Sequence, residues 1–433
     1  MAGSASRPYV LISSDGHAGA DLRDYKPYLE REFHEDFDAW TETFVEPWGE
    51  YDKELVDTDD EFIRIGQASF LSPYNWDSEK RLEHMNDQGI AGEVVLPNTV
   101  PPFYPAAVIS AWAPRTTEEY QYRHAGVKAH NRWLVDFCAM APGRRAGLAQ
   151  VFLNDIEDAV AEVHWAHDHG LKGVLIPCDH MCQLVNLFER RLDPFWATCE
   201  ELGMPVHRHA VAVGPPETPE DGPAQVAIGG HETYIFFSRG LGQLIFGGVF
   251  ERFPKLQFVF TETMTEWVVR ELFQLDAEFQ MGRMKGSSAY PTHHRAVEPL
   301  SHSPSEYFAR NVHLGTSLMI GRDVEARNEL GVDRIMWGAD YPHHEGLFPH
   351  TRLGLRALFS DVPEHEVRRM TSINAAELYG FDLEHLQRIA DEIGPTVEEV
   401  ATPVAADDFP EATLSITLSE AMWRTTGGAL DGH

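Results

Sequence analysis

Several short segments carry metal-liking side chains at spacings a β-strand would turn to good use. Tyr9-Val-Leu-Ile-Ser-Ser-Asp15-Gly-His17 is a β-branched and apolar run that ends in a carboxylate and an imidazole two residues apart. Extended geometry turns such a pair to one face, where an oxygen and a nitrogen donor can share a divalent cation. An Asp-x-His at a strand end also serves as a simple turn or cap. His207-Arg-His209 repeats the spacing with two imidazoles, Glu262 follows Phe258-Val-Phe-Thr, and Asp340, His343 and His344 lie within Trp337-Gly-Ala-Asp-Tyr-Pro-His-His-Glu345. A lone His207 is ordinarily a hydrogen-bonded core histidine, and a lone Glu262 a salt-bridge partner. Their joint recurrence where β-rich runs stop points to one shared site. Imidazole and carboxylate without thiolate suit zinc, manganese or iron rather than a structural zinc finger.

Side chains so far apart in sequence meet only if their strands open at a common end. After the run from Tyr9, further β-rich runs are Ile90 to Leu96, Arg145 to Phe152, Leu171 to Ile176, Met204 to His209, Leu256 to Thr261, Asn311 to Gly315 and Arg334 to Gly338. Helical patterns separate them. Asn154 is placed to cap a helix in which Ile156, Ala159, Val160, Val163 and Ala166 keep one apolar face and which Gly170 ends, and the pattern from Phe188 to Leu202 stops at Gly203. Eight βα units over roughly 330 residues predict an α/β chain folded as one TIM (β/α)8 barrel, whose site lies at the C-terminal ends of the strands. No internal repeat is found.

Three segments exceed a plain barrel. Residues 21–80 are acidic and aromatic (Phe33, Phe37, Trp40, Phe44, Trp48, Tyr51) and follow the first strand, so they read as a lid over the barrel mouth or as a peripheral packing extension that helps oligomerise the protein. Residues 280–310, with His293 and His294 read as surface residues, are expected to form a second long connection near the same end. Residues 394–433 read as a C-terminal arm packed on the barrel domain 1–393 or on another subunit.

Composition narrows the function class. The 433 residues are 43% hydrophobic and 24% charged, as in ordinary globular proteins, and 35 basic against 68 acidic residues give a net charge of −33. That charge opposes binding to nucleic acid or to an anionic membrane. The first residues lack a basic segment followed by a long apolar one, and no run approaches the ~20 apolar residues of a membrane span, so a cytoplasmic location is expected. Cys138, Cys178, Cys182 and Cys199 are too few and too irregular for a disulfide framework and read as buried thiols. Phe103, Tyr104, Trp112, Phe236 and Phe237 read as core filling before pocket lining.

Ile-Ser-Ser-Asp-Gly-His (12–17), the Phe-Gly-Gly-Val-Phe-Glu-Arg-Phe-Pro-Lys-Leu-Gln-Phe-Val-Phe-Thr-Glu-Thr stretch from 246, Pro-Ser-Glu-Tyr-Phe-Ala-Arg-Asn-Val (304–312), Met-Trp-Gly-Ala-Asp-Tyr-Pro-His-His-Glu-Gly (336–346) and Ile-Asn-Ala-Ala-Glu-Leu-Tyr-Gly-Phe-Asp (373–382) resemble the amidohydrolase-related family. The resemblance is to its aminocarboxymuconate semialdehyde decarboxylase-like branch and covers about residues 8–385. It implies a distorted barrel with a metal bound by Asp15, His17, a strand-five histidine taken as His207, and Asp340. Two departures matter. Asp15 stands where that branch has His or Glu, and Thr261-Glu262-Thr263 stands where the decarboxylases carry a catalytic His-Gly-Gly.

With the proton-handling imidazole missing and donors in surplus, the site resembles that of a subgroup of non-haem diiron or manganese/iron monooxygenases with this fold. That reading is placed first. It expects two first-row ions held by Asp15, His17, His207, Glu262, Asp340 and His343, with O2 and a small organic substrate as partners and His209 and His344 as catalytic imidazoles. The alternative is a hydrolase or non-oxidative decarboxylase with one Zn or Mn, in which His209 or His343 moves protons. A third is a non-catalytic metal-binding barrel that supports a related chain in a hetero-oligomer, a homo-oligomer being the other expected assembly.

Overall fold

The computed structural model describes residues 6–45, 72–105, 113–177, 186–210 and 222–427. Eight strands, β1 (Leu11–Ala18), β2 (Ile90–Pro97), β3 (Arg145–Gln150), β4 (Gly173–Leu175), β5 (Val206–His209), β6 (Phe258–Thr261), β7 (Val312–Thr316) and β8 (Ile335–Trp337), run in spatial order β1 to β8. Every neighbouring pair is parallel. Parallel neighbours need crossovers, and helices supply them around the outside. All eight strands are buried along their length, as expected for strands covered on both faces. A bridge between Gly16 and Tyr341, with the His17 N–H donating to the Tyr341 carbonyl at 2.7 Å, brings the chain after β8 back onto β1. The chain is a TIM (β/α)8 barrel.

The helix Ile156–Asp168 starts one residue later than its expected cap. Asp155 accepts hydrogen bonds from the N–H groups of Glu157 (2.9 Å) and Asp158 (3.2 Å), while the Asn154 amide donates to the Pro114 carbonyl. An acidic cap adjoining the first apolar residue also complements the helix dipole. Gly170 (φ +85°) and Gly203 (φ +64°) stop their helices in the left-handed backbone region, as read from the sequence.

Residues 21–45 of the first insertion lie along the helix Thr117–Ala139. The Tyr28 hydroxyl donates to Asp136, Tyr122 to Asp36, and Tyr25 lies fully buried against His130 and Trp133. Phe33, Phe37, Trp40 and Phe103 pack ring against ring. Trp48 and Tyr51 lie outside the described residues. The 280–310 connection is a correction: the helix Glu266–Arg283 runs back down the barrel, so the segments after it, Tyr290–Val297 and Pro304–Asn311, feed the start of β7. Ser301 donates to Glu251, just ahead of β6, which puts this connection at the N-terminal ends of the strands, opposite the expected site. His293 and His294 are about one-third exposed there.

The C-terminal residues pack on the barrel. The Tyr9 N–H donates to the Pro395 carbonyl, Thr417 to the Met319 carbonyl, and the Ile416 N–H to the Glu345 carbonyl. Burial raises the thiols of Cys138, to about 12, and Cys199, leaving both protonated; Cys178, Cys182 and Trp112 lie outside the described residues. Tyr104, Phe236 and Phe237 are buried core residues. Among the described residues no helix is long and apolar enough to cross a membrane.

Candidate metal centre

β1 does not carry Asp15 and His17 as a plain extended pair. Its register against β2 passes from Ser13 opposite Glu93 to Gly16 opposite Val95, three steps against two, so a bulge falls at Ser14 and Asp15. Such an extra residue re-aims side chains, and here both point into the mouth of the barrel. Asp15 and His17 are completely buried. Ser317, just past β7, donates to Asp15 Oδ2 at 2.6 Å. His17 Nδ1 lies 3.0 Å from the Pro97 carbonyl, which can only accept, so Nδ1 carries the proton. The lone pair of neutral His17 is therefore on Nε2, which stands 3.2 Å from both Asp15 Oδ1 and Asp340 Oδ1.

Asp340 reaches the same point from the turn after β8. Its φ of +56° and that of Glu262, +54°, lie in the left-handed region that non-glycine residues rarely occupy. Such conformations cost of order 1 kcal/mol or more and concentrate at functional sites. The Asp340 N–H donates to the Asp15 carbonyl at 2.9 Å. His343 Nδ1 lies 2.9 Å from Asp340 Oδ1, and the His343 ring stacks on His17 with centroids 4.2 Å apart.

On β5 the structure groups His209, rather than the expected His207, with Asp15 and His17. His207 and His209 share the inward face of β5, but two residues span about 6.6 Å along a strand, so they occupy different layers of the barrel interior. His209 is level with Asp15, its Nε2 3.5 Å from Asp15 Oδ1 and its Nδ1 3.2 Å from Glu262 Oε2. His207 sits one layer deeper, its Nδ1 3.0 Å from Thr261 Oγ1 and its Nε2 3.2 Å from the Tyr379 hydroxyl. Burial pushes its pKa down to about 3, so it is neutral. Arg208, on the other face of β5, points toward Gly240 rather than Glu262. His344 is one-third exposed, its Nε2 3.6 Å from Glu345 Oε2, and stands apart from the imidazole cluster.

Among the described residues three groups of donor atoms converge within 4.8 Å: Asp15, His17 and His209; His17, Asp340 and His343; and Glu262, Asp340 and Glu345. The first two share His17 and are fully buried. The fit to a cation is visible in the polar atoms themselves. Asp15 Oδ1, His17 Nε2 and both carboxylate oxygens of Asp340 are buried and make no hydrogen bond. Unsatisfied buried polar atoms are rare, and a ring of acceptors facing one another is repulsive unless a cation or a proton lies between them. In protein alone the proton plays that part. Burial opposes charge on His17, but Asp15 and Asp340 overcome it and raise the imidazole well above its usual range. Burial likewise opposes the charge on Asp15, yet His209 and His17 hold that carboxyl well below normal, and His343 and His17 do the same for Asp340. Glu262 goes the other way, raised by burial and by Asp340 and Asp15.

The Amidohydrolase family profile matches residues 38–381. The chain belongs to the amidohydrolase family. Its fold is similar to that of an amidohydrolase from Mycobacterium avium subsp. paratuberculosis K-10 (22% identity, TM-score 0.58, 87% of this chain and 99% of that one). It is similar also to 5-carboxyvanillate decarboxylase from Novosphingobium aromaticivorans DSM 12444, solved with manganese and 4-hydroxy-3-methoxy-5-nitrobenzoic acid (20%, 0.61, 86% and 96%). A third is 2,6-dihydroxybenzoate decarboxylase from Rhizobium (19%, 0.54, 87% and 99%).

Sequence reasoning about this amidohydrolase missed Glu345, Ser317, Pro97 and Asn98. Glu345 closes the motif from Trp337 and was open to inclusion as a donor. The other three carry no metal-binding signature, and only their positions at the ends of β2 and β7 place them beside the site.

Proposed function

We propose that this amidohydrolase is a metal-dependent enzyme that holds one divalent first-row cation, Mn or Zn, between Asp15, His17, His209, Asp340 and His343, and carries out a non-oxidative reaction on a small organic substrate. The observation that carries the reading is the outer partner behind four of the five donors: Ser317 on Asp15, the Pro97 carbonyl on His17, Asn98 on His343 and Glu262 beside His209 Nδ1. Such partners orient a metal's ligands and set their tautomers. When bound, the cation anchors a substrate carboxylate or activates a water. Glu262, 15% exposed and set where an imidazole stands in the decarboxylases, is an acid–base group that both touches His209 and reaches solvent. Manganese-containing decarboxylases of this fold support the anchoring role, so small aromatic carboxylates are the substrate class to test first. This ranks the chemistry differently from the sequence alone.

A second reading, the dinuclear iron or manganese/iron monooxygenase, is favoured by the group Glu262, Asp340 and Glu345, in which Asp340 would be shared between two cations. Elemental analysis and oxygen consumption separate the two. One ion per chain with turnover under nitrogen is expected. Two retained ions, with O2 uptake by the reduced protein that Glu262→Ala abolishes along with one ion, would overturn the single-ion proposal in favour of the oxygenase.

A further inference from the structure

Behind His343 runs a chain of side-chain hydrogen bonds whose direction is fixed at its far end. His343 Nε2 lies 3.0 Å from Asn98 Oδ1; Asn98 Nδ2 donates to Asn75 Oδ1 at 2.7 Å; Asn75 Nδ2 donates to the Ser72 carbonyl at 3.0 Å. Asn75 and Asn98 are completely buried, and His343 is 5% exposed. A backbone carbonyl only accepts. Asn75 must therefore turn its NH2 toward Ser72 and its oxygen toward Asn98. Asn98 must give its NH2 to that oxygen, which leaves its own oxygen facing the ring. His343 can satisfy that oxygen only with a proton on Nε2, so its lone pair falls on Nδ1, the atom 2.9 Å from Asp340 Oδ1. The stacked neighbour is fixed in the opposite sense: the Pro97 carbonyl takes the Nδ1 proton of His17 and leaves Nε2 bare. Two consecutive residues at the end of β2, Pro97 and Asn98, thus set the tautomers of two adjacent imidazoles so that both lone pairs meet at Asp340.

We propose that Asn98 and Asn75 are positioning residues for the metal centre: a directional relay that starts at the Ser72 carbonyl fixes the Nε2–H tautomer of His343 and presents Nδ1 to the cation. The inference rests on the metal-binding reading above and adds to it a coupling between cation affinity and the seating of Ser72–Asn75. That turn is itself held against the barrel mouth, since the Gly19 N–H donates to the Asn75 carbonyl and Arg81 to the Tyr74 carbonyl. Metal affinity therefore depends on residues that touch no metal.

The test uses the full chain and Mn2+ alone, with free Mn2+ followed by its EPR signal and Co2+ absorption as the report on ligand geometry. Asn98→Leu removes the acceptor at nearly constant volume and is expected to weaken Mn2+ binding about 10- to 100-fold. Asn98→Asp keeps an acceptor for Nε2–H but gives up the NH2 that Asn75 Oδ1 accepts, and is expected to weaken Mn2+ binding less than Asn98→Leu does. Asn75→Leu frees Asn98 to turn, with a smaller loss of affinity and an altered Co2+ band; it also serves if Asn98→Leu does not fold. Thermal melts of the metal-free proteins show whether the variants are folded. Mn2+ binding by Asn98→Leu within twofold of wild type, or equal weakening by the Leu and Asp variants, would overturn the relay while leaving the metal site standing. A wild-type protein that binds no divalent cation would overturn the metal reading itself, and the relay with it.

Discussion

The Asp340 N–H donates to the carbonyl of Asp15 at 2.9 Å, so the two carboxylates that flank His17 Nε2 are fastened main chain to main chain. The same carbonyl accepts from Ser13 Oγ at 2.7 Å, and Ser13 Oγ in turn accepts from the Ala339 N–H at 2.9 Å. The seam between β1 and the turn after β8 is thus stitched at the level of the site. Its geometry is set by backbone, which does not rearrange when a side chain changes rotamer.

That seam depends on Gly338. A Cβ there would stand 2.9 Å from the Asp15 Cβ and 3.2 Å from its backbone nitrogen, closer than carbon atoms pack. Gly338→Ala is expected to push Asp15 off its position, destabilise the protein by about 1–3 kcal/mol and weaken Mn2+ binding at least tenfold. Denaturant midpoints and Mn2+ titration check both effects. Unchanged affinity would show that Asp15 is not a ligand.

The two histidines of β5 separate cleanly. His209→Gln should abolish tight cation binding with a modest change in stability. His207→Gln should retain the cation while losing about 1–3 kcal/mol, because the Tyr379 hydroxyl and Thr261 are left poorly paired in the core. Loss of metal from the His207 variant with retention in the His209 variant would restore the assignment made from sequence.

Beneath His17 lies a buried ionic group. Glu93 accepts from Arg81 at 2.8 Å and from Arg145 at 3.0 Å, while Arg81 donates to the His17 carbonyl at 2.7 Å and packs over the Tyr341 ring. Burial opposes the charge on Glu93, and Arg81 and Arg145 together hold its carboxyl below the usual range. Glu93→Gln strands two guanidinium groups and should cost about 3–5 kcal/mol in chemical unfolding. A loss under 1 kcal/mol would show that water or other groups compensate.

His130 supplies a pH dependence away from the candidate metal centre. Burial lowers its pKa to about 3 from an unfolded value of 6.5, and its Nδ1 lies 2.9 Å from the Tyr25 hydroxyl of the first insertion. Below 6.5 the unfolded chain binds this proton and the folded chain does not. The contribution is therefore complete above pH 6.5 and falls as the pH drops toward 3, by about 1.4 kcal/mol per unit. Urea midpoints between pH 7.5 and 5 should fall less steeply for His130→Gln than for wild type; an identical slope would remove His130 from the account.

Much of the barrel was legible in the sequence because its determinants are local. β-branched runs a few residues long, separated by amphipathic helices that stop at Gly170 and Gly203, leave few alternatives to alternating strands and helices, and each of the eight strands lies within a few residues of its expected place. The places of Asp15, His17, Glu262, Asp340 and His343 at one end of the barrel were legible for the same reason, since each lies in or soon after a strand that could be seen.

What the sequence left open was decided by depth and direction. Both histidines of β5 face inward, and nothing in Val206-His-Arg-His says which layer of the barrel interior each reaches; the register against β6 sets His209 opposite Thr261 and His207 opposite Val259, and from there His209 reaches Glu262 while His207 meets the Thr261 hydroxyl and Tyr379. The 280–310 connection could not be assigned to an end of the barrel until the helix before it was seen to run back toward the start of β7. The relay through Asn98 and Asn75 left no trace in spacing at all, because hydrogen-bond direction is a property of atoms brought together from different strands, and only the closed barrel brings them together.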